Sequence, residues 1–141
     1  MRLVLAAASA ALLLGGCAGA PPTASVGDCV DVPIDSPRVT TLVAIDCELE
    51  HDIEVFALGN STVAAYDIDD VAEQAQVYCR SAFEDYVGID YKESVLDIYL
   101  MYPDSPAWIN GDREIICAAF TPDPETGGAV RTVGSVENSR T

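Results

Sequence analysis

Five cysteines, one histidine and 23 carboxylates carry the chemistry open to this chain. The cysteines divide into one and four. Cys17 follows Leu14-Gly15-Gly16, at the end of a short apolar run that begins after Arg2. A basic start, an apolar core of roughly 7–15 residues and small residues at the cut mark a secretory signal. With a cysteine just past the cut, residues 1–16 read as a lipoprotein signal peptide. The Cys17 thiol would then be thioether-linked to a diacylglycerol. A membrane-spanning helix would need about 20 apolar residues. Here Gly15-Gly16 and Pro21-Pro22 end the run too early. Two or more acyl chains, palmitate among them, hold stably at about 0.8 kcal/mol per buried CH₂. The expected location is the outer face of the cytoplasmic membrane, lipid-anchored and extracytoplasmic.

The other four cysteines are Cys29, Cys47, Cys79 and Cys117. An even number in an exported chain suggests disulfides, and four allow three pairings. Cys79 falls on the apolar stripe of an expected helix and Cys117 inside an apolar strand. Cys29–Cys47 with Cys79–Cys117 is therefore favoured, the second bridge pinning helix to sheet. Chain entropy gives about 3 kcal/mol for the shorter loop and about 4 kcal/mol for the longer. A four-cysteine zinc site is the rival. No two of these cysteines stand two to four residues apart, as zinc ligands usually do.

His51 forms C-x₃-H with Cys47, a weak metal hint that a disulfide at Cys47 would cancel. It is read as a loop histidine near a turn, and no metal site is assigned. One histidine does not assemble a Ser–His–Asp system. Asp67, Asp69, Asp70 and Glu73 resemble a calcium loop, but Ala72 and Tyr78 stand where the EF-hand needs Gly and Glu. Acids at a helix start are explained by the macrodipole. Glu84, Asp85, Asp90 and Glu93 could supply a carboxylate pair for glycosidase chemistry. In so acidic a chain such adjacency is expected by chance. No catalytic residue and no cofactor is assigned. Tyr102, Trp108 and Arg113 are the most pointed cluster left, a candidate exposed binding patch, since Trp, Tyr and Arg are enriched at binding hot spots. The alternative is a packed Trp108 with Arg113 paired to nearby acids.

The elements that must position these residues follow from periodicity. Residues 17–25 hold the lipidated cysteine and a short Pro-containing linker. The domain proper is expected at 26–120. Cys29 to Val32 reads as a brief strand ended by Pro33. Val39 to Cys47 alternates, with Val39, Thr41, Val43, Ile45 and Cys47 on one face. Ile53 to Leu58 is a strand that could pair with it as a hairpin across residues 48–52. Asp70 to Val87 is the main helix, with Asp70 as cap, Glu73 as its box partner and Gly88 just past the end. Ser94 to Tyr102 places Leu96, Ile98, Leu100 and Tyr102 on an inner face. Glu114 to Phe120 is apolar on both faces, as a central strand requires. Residues 121–141 are Pro-, Gly- and Ser-rich and read as a frayed, flexible tail. The fold class is α+β, a small, mostly antiparallel sheet with one main helix packed on it and two disulfides.

Charge narrows the partners. Only Arg2 of the seven Lys and Arg, and none of the 23 acids, precedes residue 17, so the exported part sets six cations against 23 acids, near −17. Nucleic acid is disfavoured, because its phosphates need basic partners. Anionic headgroups repel the domain, so it should stand off the membrane on its tether.

An ordered set of residues carries a resemblance. Val26-Gly27-Asp28-Cys29 leads to Asp46-Cys47, His51-Asp52 and Glu54-Val55. A helix then bears Cys79, Phe83 and Tyr86-Val87-Gly88, followed by Tyr91 and Ser94. Tyr102-Pro103, Trp108, Gly111-Asp112-Arg113 and Cys117 complete it. This order resembles the septum-formation domain of actinobacterial envelope proteins and lipoproteins, over roughly Val26 to Phe120. The family often has Pro before the histidine, where this chain has Glu50. The resemblance implies a link to division or wall synthesis, supports two disulfides and carries over no catalytic residue. The expected function is a non-enzymatic binding module anchored to the membrane through Cys17. Its partner would be an envelope protein or cell-wall component. The alternatives are a wall- or lipid-directed hydrolase using carboxylates, or a cation-binding sensor domain.

Overall fold

A computed structural model describes residues 24–32 and 42–141. The signal peptide, Cys17 and its lipidation, the linker through residue 23, and residues 33–41 with the start of the expected 39–47 strand lie outside the described residues.

The sheet is built around β5, Glu114–Pro122. Its run Ile115 to Phe120 is buried throughout, because alternate residues face two separate clusters. Ile115, Cys117 and Ala119 face one core, and Ile116, Ala118 and Phe120 the other. The expected central strand is therefore present. β5 lies between β3 (Ile53–Asn60) and β4 (Asp97–Met101), antiparallel to both. β1 (Cys29–Val30) continues the sheet beyond β3, and β2 (Ala44–Ile45) lies beyond β1. β6 (Ala129–Val130) pairs with the end of β5.

The expected hairpin between the second and third strands is not formed. β1 is inserted between them, with Cys29 opposite Ile45 on one side and Glu54 on the other. Asp52 explains the preference. Its carboxylate accepts the Val32 N–H at 3.0 Å, and its own N–H donates to Val30 O. This draws the 48–52 turn toward β1. β2 is also shorter than expected. Val43 is exposed, and Leu42 packs inward instead.

Helix α1 runs Ile68–Val87, starting two residues before the expected range. Its cap is Asp67 rather than Asp70. The Asp67 carboxylate accepts the N–H groups of Asp69 and Asp70, so no box with Glu73 is needed. Val71, Ala75, Cys79, Phe83 and Val87 form the buried stripe, one residue every four. The Cys79–Cys117 disulfide ties the middle of that stripe to β5, and Cys29–Cys47 ties β1 to the turn after β2. Both expected pairings are present. A bulge at Phe56 lets Phe56 and Ala57 both reach the helix-side core. Phe56 meets Phe83 edge-on, with ring centroids 5.5 Å apart. Leu96, Ile98, Leu100 and Tyr102 all join this core, as expected of the 94–102 segment. Gly59 is required by contact, since an added Cβ would stand 2.7 Å from the Tyr78 ring.

The segment after Phe120 is not frayed. β5 continues to Pro122, and Thr132 exchanges both backbone hydrogen bonds with His51. Asn138 and Arg140 donate to Tyr86 O and Val87 O, two carbonyls the end of α1 leaves open. Gly88, with φ of 86°, turns the chain there, and an added Cβ would press on Arg140 at 3.3 Å. Asn138 and Arg140 both adopt positive φ to fit this seat. Composition suggested fraying, but backbone partners from α1, β5, Cys47 and His51 override it.

Glu54 fastens this segment. It is 1% exposed and points to the helix side of β3. One carboxylate oxygen accepts the Tyr86 and Ser135 hydroxyls at 2.6 Å each, and the other accepts the Val136 N–H at 2.7 Å. Glu54→Ala removes three acceptor contacts and leaves buried donors unpaired. The expected loss is about 2–4 kcal/mol in urea denaturation. Exposed Glu125→Ala is expected to stay within about 0.5 kcal/mol.

Candidate functional site

Trp108 and Arg113 come together, but not as an open patch. Asp104 caps the short helix α2, Ser105–Ile109, by accepting the Ala107 N–H. This turns the Trp108 ring inward, where it is 8% exposed. The Arg113 guanidinium lies 3.4 Å from the ring centroid and donates to the carbonyls of Trp108 and Asp112. Tyr66 flanks the ring at 5.6 Å. Arg113 Nη1 is thus given to main-chain carbonyls. Tyr102 sits apart, against the helix-side core. The geometry is that of a structural knot joining α2 to the start of β5.

A groove lies elsewhere, between α1 and β4. Gln76 and Arg80 line it from α1, Tyr91 from a 3-10 turn at Tyr91–Glu93, and Asp97, Ile98 and Leu100 from β4. Its volume is about 110 Å³. Drug-sized ligand sites usually run to roughly 300–1,000 Å³, so this one suits a single side chain. Tyr91 donates to Asp97 at 2.6 Å, and Asp97 also accepts the Ile98 N–H. The Arg80 guanidinium carbon stands 5.8 Å from the Tyr91 ring centroid. Phe83 meets the same ring edge-on. The Asp97 hydrogen bond, burial and the Asp97 charge raise the Tyr91 phenol pKa, against the pull of Arg80.

β4 borders this groove and ends the sheet. Among the described residues it pairs with β5 alone. Folded proteins protect such edges with Lys, Pro, bulges or inward charges. Here Asp97 places a half-buried acid at the start of the strand and its carboxylate accepts the Ile98 N–H, while Ile98, Tyr99, Leu100 and Met101 carry none of these. All are half-buried, Ile98 and Leu100 toward the helix side, Tyr99 and Met101 toward the other.

A third cluster surrounds Glu54. His51, read from sequence as a loop residue, is 1% exposed. Its Nδ1 faces Leu49 O at 3.0 Å. Cys29 Sγ, a His51 ring nitrogen and a Glu54 oxygen lie within 4.8 Å of one another, all on buried residues.

The ordered landmarks of this fold agree with a known family. The family model described as septum formation matches residues 26–141. The chain belongs to the septum-formation family. No curated protein and no solved structure matches it. The family match extends through the segment that follows Phe120, in keeping with the bonding of that segment to His51, Glu54, β5 and α1.

In this septum-formation domain, sequence reasoning missed Arg80, Tyr91 and Asp97 as a group and missed the burial of Glu54. The alternation of 53–58 was one available signal for Glu54. It puts Glu54 on the same face as Phe56, where an acid needs partners.

Burial, and then the hydrogen bond to Glu54, push the Tyr86 phenol well above its ordinary 10.0. Tyr91 and Tyr99 are raised as well. Above pH 10 the unfolded chain therefore releases protons that the folded chain keeps. This contribution is complete below the ordinary tyrosine value and shrinks as pH rises beyond it. The denaturation midpoint is expected to fall from about pH 10 upward. Tyr86→Phe should lower stability at pH 7 and flatten that fall, as read in urea titrations at stepped pH.

Proposed function

We propose that this septum-formation domain is a non-enzymatic binding module, lipid-anchored through Cys17 on the outer face of the membrane. It acts where septum and wall are built, and it takes an extended segment of an envelope protein along β4. The carrying observation is the β4 edge, without a protecting residue from Tyr99 to Met101, beside a groove sized for one side chain. An added strand gains affinity from main-chain hydrogen bonds and specificity from pockets for alternate side chains. Ile98, Leu100 and Arg80 would supply such a pocket. With a charge near −17 from six cations against 23 acids, a basic partner segment is favoured and its association rate falls with salt.

The hydrolase reading needs two carboxylates facing one cleft. Asp97 is the acid among the groove residues, and its Oδ1 is engaged by Tyr91 and the Ile98 N–H. The cation-sensor reading has no support from Asp67, whose carboxylate caps α1.

Two experiments test the proposal. In a pull-down from envelope extracts, a specific partner is expected that slows hydrogen exchange at the β4 amides. Leu100→Lys should reduce its recovery about tenfold or more while leaving the circular dichroism spectrum unchanged. Recovery without β4 protection removes the edge as the site. For the anchor, Cys17→Ser should move the protein from the membrane fraction to the medium and abolish the lipid mass on the amino-terminal peptide.

A further inference from the structure

We propose that Cys29, His51 and Glu54 form a three-ligand zinc site that the Cys29–Cys47 disulfide holds closed and cleavage of that bond opens. The strand register creates it. Cys29 lies directly opposite Glu54 across β1 and β3, and His51 stands at the entry to β3. Three potential ligand atoms lie within 4.8 Å of one another inside the protein. Tetrahedral zinc with bonds of about 2.0–2.3 Å brings its ligand atoms to about 3–4 Å apart, so a small contraction suffices. Cys47, bonded to Cys29 in the oxidised chain, lies outside this group, and a solvent molecule would complete the tetrahedron. The spacing His51-x₂-Glu54 falls within the separations usual for zinc ligands.

The surroundings already orient the ligands. A carbonyl only accepts, so the contact with Leu49 O fixes the proton on His51 Nδ1 and leaves a lone pair on Nε2. A carboxylate offers about four acceptor positions. Tyr86, Ser135 and Val136 occupy three on Glu54, and Oε2 carries the Val136 contact alone. One position on Glu54 is left for the metal.

Thiolate is the metal-binding form of cysteine, so the disulfide excludes zinc. Opening requires an external dithiol. Cys29 is 0% exposed and Cys47 half-buried, so the attacking thiolate reaches Cys47 Sγ. It forms a mixed disulfide and expels the Cys29 thiolate. The second thiol of the reductant then displaces Cys47 and leaves as part of an oxidised dithiol, having delivered two electrons. Zinc binds the Cys29 thiolate, with release of any proton it has taken up. By linkage, zinc must ease reduction of this disulfide. Cys79 and Cys117 are both fully buried and keep their bridge as the remaining staple.

The test uses the full chain carrying Cys47→Ser, which frees Cys29 without reductant. Equilibrium dialysis against zinc is expected to load one ion per chain, and cobalt substitution should give a thiolate charge-transfer band. The disulfide-bonded wild type should take up neither ion. Adding His51→Asn or Glu54→Gln to Cys47→Ser should weaken zinc binding about tenfold or more. Should Cys47→Ser be unfolded without metal, zinc is expected to restore its circular dichroism spectrum. No zinc uptake by Cys47→Ser, failure of zinc to restore a lost fold, or uptake unchanged by both second substitutions overturns the proposal.

Discussion

A carboxylate buried in a sheet must be fully hydrogen-bonded, and much of this structure follows from how Glu54 meets that requirement. An unpaired buried charge would cost several kcal/mol. Glu54 finds its donors on two distant parts of the chain, Tyr86 near the end of α1 and Ser135-Val136 in the carboxy-terminal segment. Meeting this one constraint fixes where α1 ends over the sheet and folds the last residues back onto it. The same segment then completes α1, because Asn138 and Arg140 satisfy the carbonyls beside Gly88. Tail, helix and strand thus each supply what another lacks.

The parts of the fold that were legible were those with strong local periodicity. The stripe from Val71 to Val87, the two-faced run of 115–120 and the alternation around Ile98 each report burial directly. Disulfide pairing followed from them, since Cys79 and Cys117 lay on facing apolar surfaces. What failed was non-local. Order among β1, β2 and β3 depends on Asp52 reaching Val32, a contact across 20 positions. The fate of residues 121–141 depends on acceptors in α1 and β3 that composition does not reveal. Asp67 displaced Asp70 as cap because the helix begins at Ile68, two residues before the expected range.

The site residues divide in the same way. Trp108 and Arg113 were correctly seen as neighbours, since a short helix and a tight turn hold them within five positions. Their packing was decided by Tyr66 and by main-chain carbonyls that single out no sequence pattern. The groove residues come from α1, a 3-10 turn and β4, and only their meeting makes a site. His51 looked like a loop residue because it follows a run of charged residues. Its burial comes from Thr132, 81 positions later.

The residues that carry the family resemblance bear on what this scaffold is for. Cys29, Cys47, His51, Glu54, Tyr86 and Gly88 all stand at or beside the Glu54 junction, while Cys79, Phe83 and Cys117 fix α1 to β5. Most of the resemblance therefore describes how the domain is held together. The β4 edge contributes little to it, since Ser94 and Tyr102 flank the strand and Tyr91 and Arg80 lie behind it. A binding surface placed on an edge strand can change its side chains without disturbing the junction, because β4 is held by its ladder to β5. The two disulfides and the Glu54 junction thus hold the body independently of the edge strand on which the proposed peptide binding rests.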